Sequence, residues 1–328
     1  MSPTHYNIGV LRGGPSSEHE ISLNTGASVL RAIRDNHNDK YKTHDVFIDR
    51  DGEWHIDGEP ALLREILPRI DVAFNALHGA YGEDGKVQHI LEVHEKPFTG
   101  SGSLASALGM NKSLTKKVFN DYGVKTPRGK IYSSDSVISD TNEAVKDLFR
   151  TFILPAIVKP SSTGSSVGVS IVRSYGDFPD ALNTAAGLSD EVLVEEFIPG
   201  VEATCGVVEK FRGQELYALP VIEIRPKSGF FDFAAKYEGQ SEEIVPASFS
   251  HALKRKIEEL AKSIHRILGL RHYSRSDFII HPKRGIYALE VNTLPGLTDE
   301  SLMPKALRAV GSDMREFVDH IIQLALTR

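Results

Sequence analysis

Apolar positions along the chain fall into short runs separated by stretches of helical spacing. "YNIGVLRGGPSSEHEISLNTGASVLRAI" begins as a short strand, breaks at Gly13 and Gly14, and resumes with helical spacing through Ile21, Val29 and Ile33. "HDVFIDRDGEW" and "DVAFNALHG" are two further short apolar runs that end in turn signals. Strands alternating with helices predict a parallel sheet with functional loops at the strand C-terminal ends. "PFTGSGSLASALGMNKSLTKKVFNDYG" predicts a Gly-Ser turn and then one helix ending near Gly123, with a domain boundary close to Gly100.

The second half has more β character. "ILPAIVKPSSTGSSVGVSIV" reads as two β-rich runs joined by a small-residue loop, and "EVLVEEFIPGVEATCGVVE" is again β-rich. "HALKRKIEELAKSIHRILG" is an amphipathic helix. "HYSRSDFIIHPKRGIYALEVN" reads as two strands joined by a turn at 282–285, and the C-terminal stretch from Ser301 is helical. No repeat or low-complexity tract interrupts the pattern.

Length and composition narrow the class. A chain of 328 residues exceeds one compact core and suits two or three domains. The net charge of -6 argues against nucleic acid as a main partner, because a phosphate backbone selects a basic surface. The single cysteine, Cys205, excludes an internal disulfide, fits a reducing compartment and reads as a core residue of an apolar strand. The N-terminal stretch has no basic start followed by a long apolar segment, and no apolar run reaches membrane-spanning length. A soluble cytoplasmic protein with no membrane or nucleic-acid partner is expected.

Polar groups inside apolar runs supply the candidate chemistry. Glu290 and Asn292, two apart in "YALEVNTLPG", share a strand face, and Asp277 interrupts the apolar run of the preceding strand. If the strands pair across the turn, these three oxygen donors converge and suit a hard cation such as Mg²⁺. Two solvated strand faces fit the same pattern. "KPSSTGSSVGVS" places Lys159 before a loop of small and hydroxylated residues that could cradle phosphate, although it is neither a Walker A loop nor GxGxxG. A flexible hairpin loop fits it as well. His78 follows a strand directly, Glu18 stands at a helix start where it could serve only the helix dipole, and Lys112 could be an ordinary surface lysine. Lys236 and Tyr237 in "AAKYEG" lie in a segment with little periodicity, which suits a closing loop.

The order of these signals is more specific than any one of them. "HGAYGEDGKVQ", then "SRSDFII" and "ALEVNTLPG", resemble the two signature motifs of D-alanine–D-alanine ligases of the ATP-grasp superfamily. "GGPSSEHEISL", "KPSSTGSSVGVS" and "AAKY" are similar to that family in the same order, so the resemblance covers nearly the whole chain. It implies an α/β architecture of three domains: an N-terminal parallel-sheet substrate domain over 1–100, and a two-domain ATP-grasp unit over 101–194 and 195–328.

The resemblance also implies roles. Asp277, Glu290 and Asn292 would hold Mg²⁺, with Mn²⁺ as a substitute. Lys112 and Lys159 would contact ATP phosphates, Ser166 would bind ATP, Glu195, Glu196 and Ile198 would lie beside adenine, Glu202 would meet the ribose, and Lys236 would approach the γ-phosphate. Glu18 and His78 would form the first D-alanine subsite, with Ser165 and Tyr237 bonded to Glu18. Arg275 and the Gly296 N–H would stabilise the oxyanion, and Ser301 would hold the second substrate's carboxylate. Family members are often homodimers. The implied product is D-alanyl-D-alanine for peptidoglycan precursors, made through a D-alanyl phosphate. D-serine or D-lactate as acceptor, or a non-catalytic nucleotide-binding relic, are the rival readings. Tyr237 favours peptide over ester, because the ester-forming relatives lack it. Two departures from the family stand out. His89 follows Gln88 where a small residue is usual, which could alter packing behind the first motif. Asp299 and Glu300 precede Ser301, where two acids would oppose a carboxylate by about 1 kcal/mol each if solvated.

Overall fold

In the computed structural model, which describes residues 5–36, 40–164, 167–226 and 241–327, three sheets follow one another along the chain. The first is built from β1 (Tyr6–Gly13), β2 (Tyr41–Ile48), β3 (Trp54–Ile56), β4 (Glu59–Pro60) and β5 (Val72–Asn75), in the order β4-β3-β2-β1-β5. β1 is parallel to β2 and β5, as the strand–helix alternation predicts, while β3 and β4 form an antiparallel edge. Ile8, Val10 and Leu11 are fully buried, which is why this central strand reads as continuously apolar.

The second sheet is antiparallel, with β6 (Gly129–Ser133), β7 (Ala156–Pro160), β8 (Ser170–Val172) and β9 (Glu191–Glu196) in the order β6-β9-β7-β8. Its apolar face packs Val158, Val172, Val192 and Val194 against Leu148 and Leu182 of two helices, Thr141–Thr151 and Phe178–Ala186. The third sheet joins β10 (Val201–Glu209), β12 (Ile222–Pro226), β13 (Ser241–Ile244), β14 (Tyr273–His281) and β15 (Gly285–Asn292) in the order β13-β12-β10-β14-β15, with β11 (Leu216–Ala218) on β10. The amphipathic helix His251–Ile267 covers it, burying Ile257, Ala261 and Ile264 beside Val207, Phe278 and Cys205. Burial also pushes the Cys205 thiol up, so it stays a neutral core group.

Packing divides the chain differently from the sequence reading. The stretch expected to hold one helix holds two, Ser103–Met110 and Lys112–Asp121, because Asn111 leaves helical geometry and its Oδ1 accepts from Leu114 N at 2.9 Å. These helices place Ala105 and Phe119 in the core of the third sheet rather than the second. β9 runs past residue 194 to Glu196, so the second sheet gives way to the third over 197–200. The C-terminal helix Met314–Leu326 closes the molecule, packing Phe317, Val318 and Ile321 in one cluster with Ile8, Val10, Val72 and Phe74 of the first sheet. β6, β11, β12, β13 and the helices of the second sheet carried no pattern that the sequence reading resolved.

Candidate active site

The β14–β15 hairpin supplies the polar centre of the site. Antiparallel pairing sets Arg275 opposite Asn292 and Asp277 opposite Glu290, and opposed residues project to one face. The register shifts between Asp277 and Phe278, so that Phe278 pairs with Ala288. This bulge lets Ala288 join Phe278 in the core while Glu290 stands with Asp277. Without it, the alternation that points Glu290 outward would carry Ala288 outward as well. The predicted convergence of Asp277, Glu290 and Asn292 is therefore observed, with Arg275 added to it.

Each acid in this group has a cationic neighbour. Arg275 donates from Nε and Nη2 to the two oxygens of Asp277, at 2.9 and 2.8 Å, and Thr204 Oγ1 donates to Asp277 Oδ1 at 2.6 Å. Lys112 Nζ lies 3.3 Å from Glu290 Oε2 and donates to Thr163 O at 2.7 Å. Asn292 Oδ1 accepts from Leu294 N at 3.0 Å, which fixes the amide.

A second charged group lies between the second sheet and the helix Lys112–Asp121. Lys159 and Ile157 share a face of β7, and Ile157 pairs with Glu195 of β9. Lys159 Nζ lies 2.6 Å from Glu195 Oε2, while Lys116 donates to Glu195 Oε1. Glu195 is only 2% exposed. Burial pushes its pKa up, but the charges of Lys159 and Lys116 outweigh that and hold it below the usual carboxylate range. Burial lowers the Lys116 pKa, Glu195 raises it and neighbouring Lys159 lowers it further, with a net downward direction. Lys116 escaped the sequence reading. Its signal was present, because it lies four residues after Lys112 and so projects from the same helix face. Glu196 is engaged by Arg284 Nη1 at 2.9 Å and by Arg128 N at 3.1 Å.

The first sheet contributes the third wall. Glu18 is the residue preceding the helix His19–Arg34 and makes no side-chain cap. Its carboxylate lies against the backbone of two distant loops: a Cβ at Gly79 would stand 2.7 Å from Glu18 Oε2, and one at Gly164 would stand 3.0 Å from it. Gly79 also has φ +70, so that turn requires glycine twice over. His78 is buried; its Nε2 is hydrogen-bonded to Thr25 Oγ1 at 2.8 Å and its Nδ1 lies 3.5 Å from Glu83 Oε1. Ser301 Oγ is 2.8 Å from Thr298 Oγ1 and a Cβ at Gly296 would come within 2.9 Å of it.

These groups line one cleft of about 420 Å³, within the usual size of small-molecule sites. Glu18, His78, Lys112, Lys159, Glu195, Glu196, Ile198, Glu202, Arg275, Asp277, Glu290, Asn292, Gly296 and Ser301 all reach it, with apolar walls from Ile157, Phe197 and Leu289. Ser165, Ser166, Lys236 and Tyr237 lie outside the described residues. Both departures noted in the sequence have exposed side chains. His89 is exposed and repacks nothing, while Gln88 beside it is buried and donates from Nε2 to Gly82 O at 2.6 Å. The Asp299 side chain is 69% exposed and 3.8 Å from Arg31, and that of Glu300 is 90% exposed and 3.2 Å from Lys305, although Glu300 touches the cleft rim. Among the described residues no helix is long and apolar enough to cross a membrane.

Comparison with known proteins agrees with this geometry. The family profile "D-ala D-ala ligase C-terminus" matches residues 118–323, and "D-ala D-ala ligase N-terminus" matches 7–67 and 62–101. The chain is 41% identical over 321 residues to a D-alanine--D-alanine ligase of Geotalea uraniireducens, covering 97% of this chain and 95% of the relative. It is 42% identical over 319 residues to that of Geobacter sulfurreducens, covering 96% and 92%. Among solved structures, the VanG D-Ala:D-Ser ligase of Enterococcus faecalis superposes with a TM-score of 0.86 at 30% identity, covering 98% of this chain and all of the other (100%). The D-alanine-D-alanine ligase of Coxiella burnetii superposes with a TM-score of 0.82 at 25% identity, covering 99% and 94%. The chain belongs to the D-alanine–D-alanine ligase family.

Proposed function

We propose that this protein joins two D-alanines into D-alanyl-D-alanine at the expense of ATP, through a D-alanyl phosphate, to supply peptidoglycan precursors in the cytoplasm. The observation that carries the reading is the cleft itself. Arg275, Asp277, Glu290 and Asn292 share one hairpin face, with Lys112 beside Glu290.

A carboxylate is a poor electrophile, so ATP first transfers its γ-phosphoryl group to the first D-alanine, releasing ADP. Lys112 offsets negative charge on the phosphates, as does Lys159 while tied to Glu195. Glu195, Glu196 and Ile198 border the base, and Glu202 the ribose. Glu18 pairs with the ammonium of the first D-alanine, and His78 borders it. The amine of the second D-alanine, its carboxylate held by Ser301, then attacks the acyl carbon, and phosphate leaves. Arg275 and the Gly296 N–H donate to the oxyanion that forms. Ser165, Ser166, Lys236 and Tyr237 belong to this reading as the loop residues that close the site and keep water from the acyl phosphate.

Two carboxylates and an amide oxygen, with no histidine or cysteine, fit a hard divalent cation. Among the described residues no cluster of three histidine, cysteine or acidic side chains could hold a metal unaided, so substrate oxygens would complete the shell. Asp277, Glu290 and Asn292 would hold Mg²⁺, or Mn²⁺ in its place, which when bound neutralises charge on the transferring phosphoryl group.

D-alanine as acceptor is favoured over D-serine because the relatives near 40% identity carry the D-alanine name, whereas the D-Ala:D-Ser ligase is 30% identical. A homodimer is the assembly this reading includes. Phosphate release and product identity, measured with ATP, Mg²⁺ and a panel of D-alanine, D-serine and D-lactate, test the whole. Dipeptide from D-alanine alone is expected. Absence of phosphate release with every one of them would reduce the protein to a nucleotide-binding relic.

A further inference from the structure

Lys116 does not line the cleft, yet its side chain is held tightly. It is 7% exposed, and its ammonium has three donors with three partners: Glu195 Oε1, Thr126 Oγ1 at 2.9 Å and Pro127 O at 2.6 Å. Glu195 and Pro127 both line the cleft. Lys116 therefore grips the cleft wall from behind. Its helix neighbour four residues earlier, Lys112, reaches Glu290 instead. One helix thus delivers one lysine to the hairpin acids and the next to Glu195.

The Glu195 carboxylate is held at both ends. Oε1 takes Lys116 and Oε2 takes Lys159, so neither oxygen can rotate away without leaving a buried ammonium short of an acceptor. Each oxygen retains a second lone pair, and an ionised carboxylate only accepts. Beside it, Ile157, Phe197 and Ile198 form apolar walls suited to a flat ring. A slot of that kind, whose fixed carboxylate only accepts and whose lining ammonium, on Lys159, is already tied to that carboxylate, accommodates a ring bearing an N–H and opposes one presenting an oxygen.

We propose that Lys116 is a positioning residue for base selection: by fixing the Glu195 carboxylate against Lys159, it makes the site prefer a 6-aminopurine nucleotide over a 6-oxopurine one. The inference rests on the placement of the nucleotide base beside Glu195 in the reading above.

The test compares kcat/KM for ATP and for inosine triphosphate, which differ at position 6, in the purified full-length enzyme with D-alanine. Wild type is expected to favour ATP by at least about tenfold, and Lys116→Met to bring the ratio to within about threefold of unity. The loss should fall on nucleotide KM, with kcat for the dipeptide within about threefold of wild type. Thr126→Val, which removes one anchor and no charge, should lower the ratio part of the way and covers the case in which Lys116→Met does not fold. In a Glu195→Gln background, where the ratio has already collapsed, Lys116→Met should change it no further. A Lys116→Met enzyme that is less stable but keeps the wild-type ratio, or a Thr126→Val enzyme with an unchanged ratio when Lys116→Met does not fold, overturns the positioning role. If Glu195→Gln itself leaves the ratio unchanged, the base does not lie at Glu195, and both the placement and the inference fall.

Discussion

Arg275 and Asp277, two residues apart on β14, form a two-pronged ion pair: Nε to Oδ1 at 2.9 Å and Nη2 to Oδ2 at 2.8 Å. The pair couples the group proposed to meet the oxyanion to a group proposed to hold the metal. Arg275→Met keeps the aliphatic stem and deletes the donors. Turnover is expected to fall by about 10²–10³, the usual cost of losing one oxyanion donor. Steady-state kinetics should show ATP KM changing much less. A loss of nucleotide affinity as large as the loss of turnover would place Arg275 in the ATP site.

Glu290 carries a negative charge 3.3 Å from Lys112 and opposite Asp277. Glu290→Gln preserves shape and removes that charge. The variant should fold normally by circular dichroism and lose most turnover, with a raised Mg²⁺ requirement. Wild-type turnover at low Mg²⁺ would refute the metal assignment.

The acids before Ser301 are expected to be bystanders. Asp299 and Glu300 are mostly exposed and pair with Arg31 and Lys305, and exposed pairs contribute about 0–1 kcal/mol. Asp299→Asn with Glu300→Gln should leave the acceptor KM within about threefold of wild type. A tenfold or greater drop in acceptor KM would put these carboxylates inside the second subsite.

His272 predicts a pH effect on stability. Burial pushes its pKa down to about 4, and as a neutral ring it accepts from Gly100 N at Nδ1, 3.0 Å away. The unfolded chain binds a proton near pH 6.5, where the folded chain does not, so this residue's share of stability is full above about 6.5 and is lost as pH falls toward 4. His272 has φ +62, which asparagine tolerates. His272→Asn should therefore flatten the decline between pH 7 and pH 5 in denaturant titrations. An unchanged slope would assign the decline to other groups.

The sequence by itself determined what depends on near neighbours. Strand alternation put Glu290 and Asn292 on one face, the short turn at 282–285 folded β14 onto β15, and apolar spacing marked the helix that covers the third sheet. Motif order carried the family, and every described residue it implied for the site lines the cleft. Tertiary structure decided the rest, because those features depend on segments far apart in sequence. The bulge that separates Ala288 from Glu290 appears only when the core claims one and the cleft the other. The break at Asn111 hides within a continuous helical pattern. Lys116 and Glu195 are 79 residues apart, and Glu18 meets Gly79 and Gly164 only where loops of the first two sheets come together. No local pattern encodes such meetings, since a side chain's partner is fixed by packing of whole elements rather than by its own stretch of chain.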